Sequence, residues 1–466
     1  MRYAKIAFIP FLLILGAYLA AGCSEKSTSP KDGEPPPSTT MNHVWSKRFG
    51  DAGEQWASCI AVDTAGNVIV AGQFWSTIDF GGGVLASTGM EDIFIAKFDS
   101  AGNHLWSKRF GDAEHQYAFG IAVDESGSVI VTGEFMGTVD FGGGVLTSAG
   151  FYDIFIAKFS SDGSHLWSKR FGDDDLQFSR DVDVDASGNT FAAGYFSGTV
   201  DFGGGTLSSS VYTDVFSAKL DPGGAHLWSK DFGDTDYQYA AGVAIDASGN
   251  VIIVGRFAGS VNFGGTTLTS AGMYDVYVAK FDPNGTHLWS KRFGDLSSQT
   301  VMAVAVDALR NVIVAGYFSG AIDFGGGAIT SAGNADVFAA KLDPGGAHLW
   351  SKRFGDASNQ YATSVAVDAS DNIIIGGHFG GSVNFGGKAL TSEGDMDIFI
   401  AKLGSDGSHI LSGCFGNENA QEISSIEVDA AGNMIITGQF YGAVNFGGST
   451  LASAGERDVF IAKFAP

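Results

Sequence analysis

Much that would narrow the field is missing from this sequence. Charged side chains make up only 17% of the 466 residues, against about 25% in an average soluble protein. Hydrophobic residues still hold at 45%. That is enough apolar surface to build a core, so disorder across the body is excluded. Basic residues are scarce: 27 Lys and Arg face 51 Asp and Glu, for a net charge of −24. Such a chain offers no basic face to neutralise phosphates, which excludes a nucleic-acid partner. Proline occurs only 9 times, so rigid linkers are few. No stretch carries a helical hydrophobic period. A Gly-x-Ser-x-Gly elbow, His-Glu-x-x-His and Cys-x-x-Cys are all absent, and with them the common signatures of an enzyme.

What is present begins with an address. Arg2 and Lys5 precede an apolar run at 6–22, broken only by Pro10. A membrane-spanning helix wants about 20 such residues, so this shorter run reads as the core of a secretory signal. It ends Leu19-Ala20-Ala21-Gly22-Cys23, which resembles a bacterial lipoprotein signal, with Ala20 where Leu is more usual. The resemblance implies cleavage before Cys23, diacylglycerol on its thiol, and a place in the cell envelope, on an outer membrane or cell surface. A plain secreted chain with an incidental Cys is the competing reading. Residues 24–40 contain no aliphatic or aromatic residue, and Pro35-Pro36-Pro37 stiffens them. They read as an extended tether with a reach of about 50 Å. The expected organisation is therefore a signal at 1–22, a lipidated tether at 23–42 and a body at 43–466.

The body repeats. His-Leu-Trp-Ser-Lys-Arg-Phe-Gly-Asp, with small variations, starts at His43, His104, His165, His226, His287, His348 and His409, in steps of 61 residues. A fixed period with several strands per unit means a propeller or a solenoid. In the second copy the β-rich runs are 117–124, 128–135, 153–159 and 165–171, with Gly, Asn and Asp at the bends. Four such runs are the strands of a propeller blade. The first bend holds Gly127 or its equivalent in five copies, but Arg310 and Asp371 in the other two. A positive φ is needed there, so those two copies should carry strain.

Val-Ala-Val-Asp, a Gly-Asn turn and Val-Ile-Val-Ala-Gly resemble the bacterial β-propeller repeat (SBBP) family, whose blade grammar is similar to that of NHL repeats. The likeness extends over all seven copies and implies no single activity. By that grammar the Ala-Val-Asp run is the inner strand and the Trp-containing run the outer one. The expected fold is an all-β, seven-bladed propeller with four-stranded blades. The body opens on a lone outer strand at 43–49 and ends on a lone third strand at 458–464. The N-terminal strand should therefore complete the last blade and close the ring. Cys59 then falls on an inner strand and Cys414 on an outer one, too far apart for a disulfide.

Candidate chemistry is thin. The seven recurring His residues start outer strands spread around the rim and cannot converge on one ion. Asp79, Asp140, Asp201 and Asp323 alternate with Asn262, Asn384 and Asn445 at one position, which suits an Asx-turn rather than a cation. The glycine runs, such as Phe385-Gly386-Gly387-Lys388, lack the pattern of a phosphate loop. No metal, cofactor or catalytic residue is expected. The copies disagree mainly in the loops after the second and outer strands, which share one face. Candidate binding residues there are Trp75, Tyr152, Tyr195, Tyr212, Tyr237, Arg256, Tyr274, Tyr317, His378 and Tyr441. Drift in unconstrained loops explains the same variety equally well. Asp181, Asp183 and Glu427 interrupt the small residues of the inner strands and should reach the axial channel.

The expected function is a lipid-anchored, monomeric, non-catalytic binding or scaffold module for a protein or glycan. Two alternatives stand beside it. A glycan-acting hydrolase or lyase should break the sevenfold pattern at one place, with Asp174, Asp175 and Arg180 the nearest approach to such a break. A structural surface protein would need no ligand.

Overall fold

Residues 41–466 are described by the structure, a computed structural model. The signal, most of the tether and Cys23 lie outside the described residues. The body is a seven-bladed β-propeller. Seven four-stranded antiparallel sheets each run from an inner strand to an outer one, and each carries a separate two-stranded hairpin. In blade 1 the four strands are Gln55–Val62, Val68–Phe74, Asp92–Phe98 and His104–Phe110. The second-copy strands lie within a residue or so of the expected limits, at Gln116–Val123, Val129–Phe135, Asp153–Phe159 and His165–Phe171.

The ring closes as expected. Asn42–Phe49 pairs antiparallel with Asp458–Ala465 and becomes the outer strand of blade 7. Cys59 lies on the inner strand of blade 1 and Cys414 on the outer strand of blade 6, and no disulfide joins them.

The hairpins correct the four-strand reading of the repeat. In blade 1 the link between second and third strands contains Thr77–Asp79 paired with Val84–Ala86. Its purpose is geometric, because flat blades radiating from an axis leave wedges at the rim. Phe80 fills one wedge, with ring centroids 5.0 Å from Phe49 of blade 7 and 4.9 Å from Phe94 of its own blade. The tip turns through Asp79, whose carboxylate accepts the N–H groups of Gly81 and Gly83 at 2.7 and 3.1 Å. Asn262 accepts from Gly264 at 2.7 Å in the same way, so the Asx-turn reading holds.

The recurring His residues serve this packing. His104 bonds Ser107 of its own strand at 3.0 Å, and a Cβ on Gly82 would stand 2.2 Å from its ring. Only glycine lets the hairpin lie that close.

The core lies between blades. Second and third strands are buried along nearly their whole length, since a neighbouring blade covers each face. Each of the seven apolar clusters joins residues of two adjacent blades. Polar ties reinforce the joints. Lys97 of the third strand pairs at 2.9 Å with Asp63 of the first turn. The same ammonium and the Trp106 indole both donate to the Ser161 carbonyl of blade 2, at 3.2 and 3.1 Å.

Candidate binding face and channel mouth

Antiparallel pairing puts the first and third turns of every blade on one face and the longer loops on the other. The turn face repeats one device. Gly66, Gly127, Gly188, Gly249 and Gly432 all take a φ of 76 to 82°, and the preceding Asp caps each bend. The loop face carries the variety.

At the axis, each inner strand slips register by one residue against its neighbour. Such a bulge re-aims the extra side chain. Here the extra residues are Ser58, Phe119, Arg180, Ala241, Met302, Thr363 and Ser424, and all seven line an axial cavity of about 470 Å³. Arg180 is the one charged residue in that ring. Deeper in, Asp181 and Asp183 reach the channel as expected. Their carboxylates accept the Val243 and Ile245 N–H groups at 2.9 and 2.8 Å, on the free edge of the next inner strand. Burial pushes Asp181 up to about 7, Asp183 to about 6 and Glu427 to about 7.

Six of the ten candidate binding residues come together in one chain of contacts. Tyr152 lies 6.0 Å from Phe178, which lies 5.1 Å from Tyr195. Tyr195 meets Tyr239 edge-on at 4.8 Å. Tyr239 continues to Tyr237 and Tyr274, each at 6.0 Å, and Tyr237 stacks on Tyr212 at 4.3 Å. The Arg256 guanidinium sits 5.3 and 5.0 Å over Tyr239 and Tyr274. The other four stand apart from this chain. Tyr317 and His378 meet through Tyr361, Tyr441 holds Arg457, and Trp75 makes no ring contact in this set.

Among the ten, Trp75, Tyr212 and Tyr237 are exposed, and the rest are half-buried. Most of the expected stacking surface is therefore spent internally.

The residues that complete the chain were not legible as site residues. Tyr117, Phe178 and Tyr239 occupy the second position of inner strands and read as ordinary alternation. One signal was available: the same position holds Glu422 in blade 7, which a core position would not take.

The break in symmetry sits in blades 2 and 3. Glu134, 4% exposed, lies 3.7 Å from the Arg180 guanidinium, and its Oε2 has no hydrogen-bond partner among the described residues. Burial pushes this carboxyl up to about 7, against the pull of Arg180. Arg180 donates to the Tyr195 hydroxyl at 2.6 Å and lies 4.5 Å over Phe119. Beside them, His115 pairs with Glu91 at 2.5 Å and with the Tyr117 hydroxyl at 3.0 Å. Asp174 and Asp175 lie in the loop above and take no part in the Arg180 contacts.

Farther out, the loops expose an apolar arc. Met90, Phe151, Tyr212 and Met273 hold one equivalent position in blades 1 to 4, with Leu296 against Gly272; Met273 and Leu296 are 64% and 79% exposed. Asn334, Asp395 and Glu456 fill that position in blades 5 to 7. Among the described residues no helix is long and apolar enough to cross a membrane. No group of three or more His, Cys, Asp or Glu there could hold a metal ion.

No family model matches the chain. An uncharacterized WD repeat-containing protein of Acanthamoeba polyphaga mimivirus is 24% identical over 536 residues, covering 92% of this chain and 39% of that protein. This chain is a β-propeller repeat protein, similar in sequence to a viral WD-repeat protein. Regulatory protein FlaEY of Caulobacter vibrioides is 24% identical over 278 residues, 54% of this chain and 29% of its own length. The chain thus spans less than half the length of both curated relatives.

Among solved structures, the Neurospora crassa Pan2 WD40 domain has a TM-score of 0.46 at 11% identity, covering 92% of this chain and 97% of that one. Polysaccharide lyase Uly1 has a TM-score of 0.48 at 11% identity, covering 91% and 100%. These are likenesses at low identity; the propeller itself is read from the strand pairing.

Proposed function

We propose that the protein is a non-catalytic, monomeric docking module whose loop face binds a partner protein. The observation behind this reading is the one-sided arc of Met90, Phe151, Tyr212 and Met273, joined by Leu296, with Asn334, Asp395 and Glu456 at the position of the first four in the other blades. Exposed apolar patches of this kind mark protein contacts, and Met side chains adapt to varied partners. Glu91, Glu114, Asp174 and Asp236 in the same loops favour a partner with basic residues around its apolar contact.

The same proposal places the blades with the bacterial β-propeller repeat family and the chain in a bacterial envelope, anchored through Cys23. The described chain starts at the turn-face end of the outer strand of blade 7. A tether leaving from there would hold the loop face away from the membrane.

The test captures partners from envelope extracts with the tagged full chain, its Phe151→Ser/Met273→Ser/Leu296→Ser variant and a Leu309→Ser control. Leu309 is exposed on the turn face. Loss of one specific partner in the triple variant alone supports the reading, while equal capture by all three proteins ends it. In parallel, Cys23→Ser should move the protein from the membrane fraction to the soluble one.

A second reading, a glycan-acting enzyme, has one observation in its favour. The symmetry breaks at a single cluster containing His115, Glu91, Glu134 and Arg180. New reducing ends from envelope glycans, absent with His115→Ala, would establish it.

A further inference from the structure

The bulge ring holds one feature the docking reading does not use. Arg180 has five N–H donors to place, and its one hydrogen bond among the described residues goes to Tyr195. Its nearest carboxylate, Glu134, stops at 3.7 Å, beyond hydrogen-bond reach. The guanidinium is nonetheless fixed. Phe119, Phe178 and Tyr195 surround it at 4.5, 5.3 and 5.1 Å, and its side chain is 24% exposed where it lines the cavity. A guanidinium held rigid with donors unspent is pre-organised to receive an oxyanion. The Glu134 Oε2 that faces the guanidinium is buried and has no hydrogen-bond partner among the described residues.

We propose that the loop-face mouth of the axial channel is a binding site for a ring-sized monocarboxylate, gripped by Arg180. A single negative charge fits better than a phosphate, since the protein carries a net charge of −24 and Glu91 and Glu134 stand nearby. The mouth opens into the axial cavity of about 470 Å³, whose deeper wall carries Asp181, Asp183 and Glu427, so a small ligand is held at the Arg180 end. The site is independent of the apolar arc, which lies outside the ring.

The test titrates the full chain by calorimetry with sodium glucuronate, glucose, N-acetyl-L-alanine and inorganic phosphate. Glucuronate should bind with a Kd on the order of 1 mM, and glucose at least tenfold more weakly. N-acetyl-L-alanine separates the sources of the carboxylate: binding as tight as glucuronate points to a peptide terminus, and weaker binding to a sugar acid.

Arg180→Met should weaken glucuronate at least tenfold. Arg180→Met/Glu134→Gln, which leaves no buried unpaired charge to disturb folding, should weaken it equally. Leu309→Ser, on the opposite face, should keep it. Phe151→Ser should also leave it intact, so that failure of the docking reading remains separate. Glucose binding as tightly as glucuronate, phosphate binding more tightly than either carboxylate, or unchanged affinity in a folded Arg180→Met/Glu134→Gln protein would overturn the site.

Discussion

Arg310 and Asp371 hold φ values of 66° and 59° at the bend where five other blades use glycine. An L-residue there costs about 1–2 kcal/mol, partly offset in a glycine variant by the greater freedom of its unfolded chain. Arg310→Gly should therefore stabilise the protein by up to about 1 kcal/mol. Asp371→Gly should be close to neutral, because Asp tolerates this region better than Arg and its carboxylate accepts the Ala308 backbone N–H at 3.0 Å, whereas Arg310→Gly gives up a bond to the Ser248 hydroxyl. Thermal melts of the two variants check the difference.

A second residue-scale irregularity is Asp231. In blades 1, 2, 4, 5 and 7 an outer-strand Arg pairs with the buried Asp that opens the third strand. In blade 3 the Arg position holds Asp231. Burial first, and then the charge of Asp231, push Asp214 up to about 6. A carboxyl whose folded value exceeds its unfolded one favours the native state at low pH, and that advantage is lost as pH rises through about 6. Asp231→Arg should supply the missing partner and stabilise by about 2 kcal/mol at pH 7.5, with a smaller gain at pH 5. Melting temperatures at the two pH values decide it. The turn residues were legible in the sequence because a positive φ filters residue types locally. The Arg–Asp pairing was not, because it joins strands whose register only the folded blade reveals.

At the scale of elements, one ion pair recurs in every blade: a third-strand Lys on the Asp of the first turn. Lys280 and Asp246 are 2.8 Å apart, with side chains 2% and 0% exposed. Removing one member strands a buried charge, so Lys280→Met should cost about 3–5 kcal/mol in denaturant unfolding. Burial pushes the Asp246 carboxyl up, but hydrogen bonds from Lys280 and Asn250 reverse this and hold it below the usual range. Asp63, Asp124, Asp185, Asp307, Asp368 and Asp429 are held low in the same way. A depressed folded value stabilises above the unfolded pKa, near 4, and loses its effect as pH falls through the folded value. Stability should thus decline steeply below pH 4, which an acid titration followed by far-UV circular dichroism would show. The rim hairpins escaped sequence reading because each arm is two or three residues long and runs into glycines. The bulges escaped it because an extra residue in one strand shows only against its partner.

For the whole molecule, the joint between first and last strands carries the ring. Deleting Asn42–Phe49 exposes the edge of Asp458–Ala465, strips Arg48 from buried Asp458 and removes Phe49 from the core between blades 7 and 1. The melting temperature should fall by roughly 10 °C or more, while deletion of 24–40 should leave it nearly unchanged. Equal melting temperatures would contradict closure by this strand.

Repeat count, blade grammar and ring closure were determined by the sequence itself, because a 61-residue period, alternating apolar runs and glycine bends are local properties that recur wherever a blade is built. The tertiary structure alone explains why the sixth copy departs from the others. Leu411 and Gly413 stand there in place of the Trp and Lys that reach the next blade's third turn in blades 1 to 5, as Trp106 reaches Ser161. Among the described residues blade 7 has no such turn, because its third and outer strands, Asp458–Ala465 and Asn42–Phe49, are not consecutive in the chain. Met41 fills the gap instead, its Cε 3.4 Å from where a Gly413 Cβ would lie, beside Leu411. It likewise decided which loop residues stay exposed. Tyr152, Tyr195 and Tyr274 pack against Phe178 and Tyr239, because burying aromatic area is favourable wherever neighbours stand close enough. Arg180 reaches the channel mouth because a one-residue slip between two strands points it there.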